Sequence, residues 1–315
     1  MTLHRTERDT VVAAPAPDVL ALMSAVADWP LLLARIVHVE PLARDGAARL
    51  AHVWGLSPQG IDDWVCRVLA DPAAGALHVA HVVARPPASA LSARFHAAPI
   101  DPGHSRLTLA QEFEAIADDP GTVRLLGRLF VATAESDLAS LRDAAEIHAA
   151  HPGCRFTFGE RVPLERGDSA DAAFDFLSRP EKWPENLPGI ASLALREERP
   201  GTQWLEMGVE EPDGSVRAEL TARVCFPRRR LIVQKDVRPR VLLFSHTSSF
   251  SVERQPGGTA IACRHTVVLD PGAVAAALGP EATLTDASDK IRRVVSAESL
   301  VTLRRAALAA RRGHG

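Results

Sequence analysis

The sequence predicts an α+β protein made of two tandem copies of one domain. Each copy is a curved antiparallel sheet of about seven strands wrapped around a long C-terminal helix. Three observations predict this. Short anchors recur in the same order. Turn signals punctuate each half at strand spacing. Each half closes on a long stretch of helical periodicity. Ala16-Pro17-Asp18-Val19 opens an apolar helical stretch running to Asp28-Trp29-Pro30, and Ser169-Ala170-Asp171-Ala172 opens another running to Lys182-Trp183-Pro184. Asp119-Pro120-Gly121 returns as Asp270-Pro271-Gly272. Ala134-Glu135-Ser136, followed by Ser140-Leu141-Arg142, returns as Ala297-Glu298-Ser299, followed by Thr302-Leu303-Arg304. The spacing between copies is roughly 150 residues, the size of one domain.

Taken in order, each copy opens on a strand, Thr6 to Ala13 and Arg155 to Leu164. A helix follows, with Asp18 or Ser169 as its expected cap. The Trp-Pro pair is expected to stop it, because the residue before proline avoids the helical region. Strands then alternate with turns. The first half has Arg44-Asp45-Gly46, Ser57-Pro58-Gln59-Gly60, Asp71-Pro72 and Asp101-Pro102-Gly103. The second has Arg199-Pro200-Gly201, Glu211-Pro212-Asp213-Gly214 and Gln255-Pro256-Gly257-Gly258. Such spacing suits an antiparallel meander. In the closing helices, Leu126, Phe130, Thr133, Leu138 and Leu141 share one face, as do Ile291, Val294, Val295, Val301 and Leu308 less regularly. The expected domains are 1–148 and 154–315, with 149–153 as linker and Pro152-Gly153 as the break. A curved sheet gripping a helix leaves a concave, mostly apolar cavity, the usual form of a small-molecule site.

Composition narrows the function. Apolar residues make up 46% and charged residues 24% of 315, which excludes a disordered or fibrous chain. No run approaches a membrane span, and the N-terminus has no apolar signal core, so no membrane partner is expected. The net charge of −3 argues against a nucleic-acid partner. Cys66, Cys154, Cys225 and Cys263 show no Cys-x-x-Cys spacing. They read as reduced thiols of a cytoplasmic protein, with no metal site. Nucleotide-binding glycine motifs, zinc-protease motifs and the nucleophile elbow are absent, and there is no tyrosine to supply a phenol.

Several stretches resemble a known family. They are the Trp-Pro after the first helix, Trp64-Val65-Cys66-Arg67, Cys263-Arg264-His265-Thr266-Val267-Val268-Leu269-Asp270-Pro271, Leu278-Gly279-Pro280-Glu281-Ala282-Thr283, and Ser299-Leu300-Val301-Thr302-Leu303-Arg304. Together they resemble the didomain aromatase/cyclases of bacterial type II polyketide synthases, over nearly the whole chain. The resemblance implies two helix-grip domains of the START-like (Bet v 1-like) type. It implies first-ring aldol cyclisation and dehydration of a poly-β-ketone, reduced at C9 and closed from C7 to C12. The chain would be carried on an acyl carrier protein, in transient company with other synthase subunits. No metal and no other cofactor is implied.

The resemblance also directs attention to particular residues. Its central strand carries Trp-x-Ser-x-Arg with all three side chains facing the pocket. Here Trp64 and Cys66 keep that phase, Val68 stands in the arginine place, and Arg67 is one residue early; it is a candidate catalytic arginine if a bulge turns it inward, and otherwise a solvent-facing strand arginine. Thr221, Arg223 and Cys225 share one strand face in the second copy, where Arg223 is a candidate donor and Thr221 a candidate lining residue. His81 and His246 are candidate acid/base or donor groups. Ser248 and Phe250 share the face of His246. His265 matches the family as a structural or catalytic histidine. Glu298 stands where an asparagine is common and offers a carboxylate. Trp29 and Trp183 are expected to plug the entrance ends, and Trp64 and Phe95 to shape a wall. Basic clusters at Arg228-Arg229-Arg230, Arg292-Arg293, Arg304-Arg305 and Arg311-Arg312 offer faces for an acidic carrier, or are simply solvated. A non-catalytic polyketide- or lipid-binding role, or a chaperone role, is the alternative. A polar pocket favours catalysis and an apolar one favours binding.

Overall fold

The computed structural model describes residues 2–211 and 213–312. Pro212, in one of the expected turns, lies outside the described residues. The chain divides into two units, Met1–Gly55 with Asp62–Pro152, and Leu56–Ile61 with Gly153–Gly315.

The first unit runs β1 (Leu3–Val12), α1 (Ala16–Ser24), α2 (Trp29–Leu32), β2 (Ile36–Asp45), β3 (Ala48–Ser57), β4 (Gly60–Asp71), β5 (Ala76–His81), β6 (Ala88–Asp101), β7 (His104–Ala115) and α3 (Pro120–Ala150). Its seven strands are ordered β1-β7-β6-β5-β4-β3-β2. The second unit runs β8 (Arg155–Leu164), α4 (Ala170–Ser178), α5 (Trp183–Asn186), β9 (Ile190–Arg199), β10 (Thr202–Glu210), β11 (Val216–Phe226), β12 (Leu231–Asp236), β13 (Leu243–Gln255), β14 (Gly258–Leu269), α6 (Pro271–Leu278) and α7 (Leu284–Arg312). Its order, β8-β14-β13-β12-β11-β10-β9, is the same. In each unit a meander of six strands is completed by the first strand returning to pair with the last.

The long helices end in sequence signals that act locally. Asp119 caps α3 by accepting from the Thr122 amide at 2.7 Å, and Pro120 follows where a missing N–H costs nothing. Ser169 caps α4 through the Ala172 amide. Asp18 does not cap α1. The cap position is Pro15, and Asp18 lies in the first turn, where its charge suits the helix dipole. The Trp-Pro pairs also act differently from expectation. The first helices end earlier, at Ser24 and Ser178, and Trp29 and Trp183 each begin a new helical turn with proline second. Proline is as well suited to opening a turn as to ending one.

Two further differences concern the second copy. Asp270-Pro271-Gly272 opens the short α6, not the long helix, so the later anchors fall further apart. The buried stripe of α7 is Ala287, Ile291, Val295, Ser299, Leu303, Ala306 and Ala310. Val301 and Leu308, assigned to that stripe from sequence, are partly exposed. The expected linker overlaps the last turn of α3, which reaches Ala150, and Pro152–Cys154 forms a 3-10 turn.

Leu177, Ile232, Phe250, Ile261, Cys263 and Leu303 form the core between the second sheet and its helices. Each such burial contributes about 1.5–3 kcal/mol. That core fills one end of the sheet's concave face. Among the described residues, no helix is long and apolar enough to cross a membrane.

Candidate active site

Strand register gathers polar side chains on the concave face of the second sheet. Thr221 lies opposite Asp236, and Gln234 opposite Ser248. Ser248 lies opposite His265, which lies opposite Phe158, and Cys263 lies opposite Glu160. The period-two rule then sends all of these side chains to one face. Among them, Thr221, Gln234 and Asp236 border a cavity of about 360 Å³, whose wall also includes Trp183, Arg240, His246 and Phe250. His265 and Glu298 also reach it.

A hydrogen-bonded chain from Asp236 through His246 and His265 to Cys263 crosses this face, with Glu160 close beside its far end. Asp236 Oδ2 lies 2.7 Å from His246 Nδ1. His246 Nε2 lies 3.0 Å from His265 Nδ1. His265 Nε2 faces Cys263 Sγ at 3.2 Å and Glu160 Oε2 at 3.5 Å. Glu160 in turn accepts from the Ser296 and Ser299 hydroxyls of α7, the latter at 2.7 Å. Burial alone raises the Asp236 carboxyl, but the charge and hydrogen bond of His246, with Arg240 and His265, hold it below the ordinary carboxylate range. Burial, and the neighbouring His246 and Arg240, push His265 down to about 3 despite Asp236, so its ring is neutral. Both ring nitrogens of His246 are therefore engaged with protein groups. Asp236 borders the cavity, and with Oδ2 on His246 its Oδ1 has no hydrogen-bond partner among the described residues.

The mouth of the cavity carries a second network. Arg240 donates to Glu219 at 3.1 Å and to Glu298, and Arg217 pairs with Glu211, Glu219 and Glu298. Glu298 thus reaches the cavity as an ion-paired carboxylate, not as a free base. Ser248 is buried beside His265, and its hydroxyl has no partner among the described residues.

Arg223 is fully buried but does not border the cavity. It donates to the Leu177 carbonyl at 2.6 Å and to Gln203 Oε1 at 3.0 Å, and sits 5.2 Å from the centre of the Trp183 ring. Trp183, itself anchored through Nε1 to the Phe176 carbonyl, stands on the cavity wall with Arg223 against its ring. Strand phase put Arg223 on one face with Thr221 and Cys225, and the structure buries that face. Phase did not show the tryptophan against Arg223.

The first sheet presents a different face. Cys66 lies opposite His81, and Phe95 opposite Leu77. The Trp64 ring stacks on His81 at 5.6 Å, nearly parallel, and Arg35 stands over it at 5.9 Å. Arg35 pairs with buried Asp137 of α3 at 2.9–3.1 Å. Burial, then Arg35 and Arg85, lower His81 to about 4, and burial pushes Cys66 up to about 12. Phe95 is buried, and Trp29 is buried with its Nε1 on the Met23 carbonyl. Arg67 does not enter. No bulge intervenes between Cys66 and Asp71, so Arg67 points outward and pairs with Asp45 at 3.0 Å, both exposed.

The chain aligns end to end with proteins of one kind. It is 32% identical to the granaticin polyketide synthase bifunctional cyclase/dehydratase of Streptomyces violaceoruber, covering 99% of this chain and 95% of that one. It is 29% identical to the actinorhodin polyketide synthase bifunctional cyclase/dehydratase of Streptomyces coelicolor, covering 98% and 97%. The crystal structure of the di-domain ARO/CYC BexL from the BE-7585A biosynthetic pathway superposes with a TM-score of 0.85 at 31% identity, covering 98% of both chains. That of the di-domain ARO/CYC StfQ, from the steffimycin biosynthetic pathway, superposes at 0.80 and 28% identity, also covering 98% of both. No protein-family profile matches. The chain belongs to the polyketide synthase bifunctional cyclase/dehydratases.

In this cyclase/dehydratase, an enzyme of cyclisation and dehydration, the cavity carboxylate paired with His246 is one that sequence reading missed. Asp236 closes β12 in phase with Ile232 and Gln234, and only the strand register brings it to His246. Glu160 was missed for the same reason. Glu160, Cys263 and His265 bring three donor atoms within 4.8 Å of one another. Each is already engaged within the hydrogen-bonded chain and by the two serines. The basic clusters are partly spent within the fold. Arg230 pairs with Asp171, Arg292 lies on the Phe156 ring and Arg311 pairs with Glu165, while the Arg312 side chain lies outside the described residues.

Proposed function

We propose that this enzyme folds a carrier-bound, C9-reduced poly-β-ketone in the second-domain cavity, closes its first ring from C7 to C12, and dehydrates it. The observation that carries this reading is the Asp236–His246 pair on the wall of a cavity of small-molecule size. A methylene flanked by two ketones is already acidic, so a carboxylate suffices to take its proton once the chain is held in place. Bringing the two carbons together supplies about 7–11 kcal/mol of the barrier. The enolate carbon attacks the ketone, and the Thr221 hydroxyl on the cavity wall is placed to donate to the oxygen that becomes negative. One such donor contributes about 3–4 kcal/mol. Asp236 then returns that proton to the alkoxide, takes the second proton from the same carbon and passes it to the departing hydroxyl, and loss of the C9 hydroxyl as a second water, with enolisation, aromatises the ring. Arg223 acts at one remove, by holding Trp183 against the wall.

The first domain is assigned a supporting role in binding or structure. Val68 stands in its arginine place, Arg67 points away, and Arg35 is neutralised by Asp137. An acyl carrier protein is the proposed partner, and the four buried free thiols suit a cytoplasmic setting. The test is reconstitution with a minimal synthase and ketoreductase. Wild type is expected to turn shunt products into a first-ring aromatic product, and His246→Gln to lose that conversion. A folded wild type that leaves the shunt pattern unchanged contradicts the reading.

A further inference from the structure

One group must serve twice in this reading, first as a base and then as an acid. Asp236 borders the cavity with Oδ1 free of hydrogen-bond partners among the described residues, and its strength in either role depends on the charge of the ring at Oδ2. That ring is not isolated. His246 is hydrogen-bonded to His265 at 3.0 Å, and the far nitrogen of His265, which meets Cys263 Sγ at 3.2 Å, lies 3.5 Å from Glu160 on the neighbouring strand. We infer that His265 and Glu160 form a proton relay behind His246 that switches Asp236 between its two roles, an inference that rests on the cavity assignment above.

The relay has two states with the same number of protons. In the first, Asp236 and Glu160 are carboxylates, His246 carries protons on both nitrogens, and His265 carries one on Nε2. In the second, the Nε2 proton of His246 has moved to His265 Nδ1, and the Nε2 proton of His265 has moved to Glu160. Two N–H bonds break, and one N–H and one O–H bond form. His265 changes tautomer and stays uncharged throughout. The positive charge beside Asp236 disappears as the negative charge on Glu160 is neutralised. With an imidazolium at Oδ2, Asp236 is a weak base and its acid form a ready proton donor. With a neutral ring there, the carboxylate is the stronger base. Ring closure uses the second state and dehydration the first.

The surroundings of His265 suit this. Asp236 and His246 face it along one side, Cys263 lies on its own strand, and Glu160 comes from β8 with Ser296 and Ser299 of α7 behind it. Arg240 is the remaining charge acting on the ring. Burial keeps His265 from holding a charge of its own. The two serine hydroxyls stabilise Glu160 as a carboxylate without locking a proton onto it. His265 and Glu160 are positioning residues, since they act on the substrate only through His246 and Asp236.

The test is nitrogen NMR of the full-length protein labelled at histidine, with His246→Gln and His265→Gln giving the assignments. Wild-type His265 is expected to show shifts intermediate between a protonated and an unprotonated nitrogen, the average of two tautomers. Glu160→Gln cannot take the proton and should drive those shifts to the limits of one tautomer. In the reconstituted synthase the same variant should cut first-ring product about tenfold, with uncyclised shunt products accumulating, and Glu160→Asp should recover part of it. A single His265 tautomer that Glu160→Gln leaves unchanged overturns the relay, as does a charged His265 ring. If Asp236→Asn retains wild-type product, the cavity assignment itself fails. If Asp236→Asn loses product while Glu160→Gln keeps it, only the relay fails.

Discussion

The two sheets share one strand order, and their registers correspond across the central strands. Where the second carries Thr221, Arg223, Asp236, His246 and His265, the first carries Cys66, Val68, His81, Leu91 and Gln111. The place of Glu219 at the second cavity's mouth is taken by Trp64 in the first. One face holds a chain of groups that can exchange protons. The other holds a thiol pushed up to about 12, a histidine lowered to about 4 and a tryptophan stacked on that histidine with an arginine over its ring. The fold therefore supplies a concave face twice, but the chemistry is written only in side chains. A buried donor or acceptor left alone costs about 1–3 kcal/mol, so polar chains survive on such a face only when nearly every member has a partner.

The largest expected effect comes from moving one residue between copies. Val68→Arg places a guanidinium at a buried site that lacks the Gln203 and Leu177 acceptors of its counterpart. A loss of about 3 kcal/mol or more is expected in chemical unfolding, since an uncompensated buried charge is among the costliest changes. Retained stability would mean that the first face holds an acceptor equivalent to Gln203. Next is Gly55→Ala. The new methyl would stand 2.6 Å from the Trp64 ring, which is held by His81 and Arg35, so a loss of about 1–3 kcal/mol is expected.

Acid lability follows from the two lowered histidines. Both rings ionise in the unfolded chain near the ordinary value of 6.5, but in the folded protein only at about 4 for His81 and about 3 for His265. The unfolded chain binds more protons across that window, so stability falls as pH falls through it. Melting temperatures between about pH 7 and about pH 4 should drop, and His81→Gln should flatten the slope. An unchanged slope would show that His81 is free to charge. The smallest effect is at Arg67. Its exposed pair with Asp45 is worth less than about 1 kcal/mol, so Arg67→Ala should leave both melting and product unchanged.

Much of this was legible in the sequence. The ordered anchors carry the duplication, and turn spacing carries the meander, because turns and caps act through nearest neighbours. Arg67 was a candidate for the first pocket only through a bulge, and its strand carries none from Cys66 to Asp71. What was not legible depends on pairing between distant strands. Asp236 and Glu160 look like ordinary strand-end and surface carboxylates until registers set them beside His246 and Cys263. Arg223 was readable as sharing a face with Thr221 and Cys225, but the tryptophan it rests against comes from a separate helix. Glu298 was readable as a helix carboxylate near the cavity, but its partner Arg240 lies in the turn between β12 and β13. The helix inserted after Asp270 was missed because the same Asp-Pro-Gly opens a short helix as readily as a long one.

The most direct measurement sets the two faces against each other in the reconstituted synthase. Asp236→Asn and its positional counterpart His81→Asn would be compared for the ratio of first-ring aromatic product to shunt products, with folding checked by melting. The account predicts a loss on the order of a hundredfold or more for Asp236→Asn, as for removal of a general acid–base, and a near wild-type ratio for His81→Asn. Retained product in Asp236→Asn, with loss in His81→Asn, would place the chemistry on the first sheet and contradict the account.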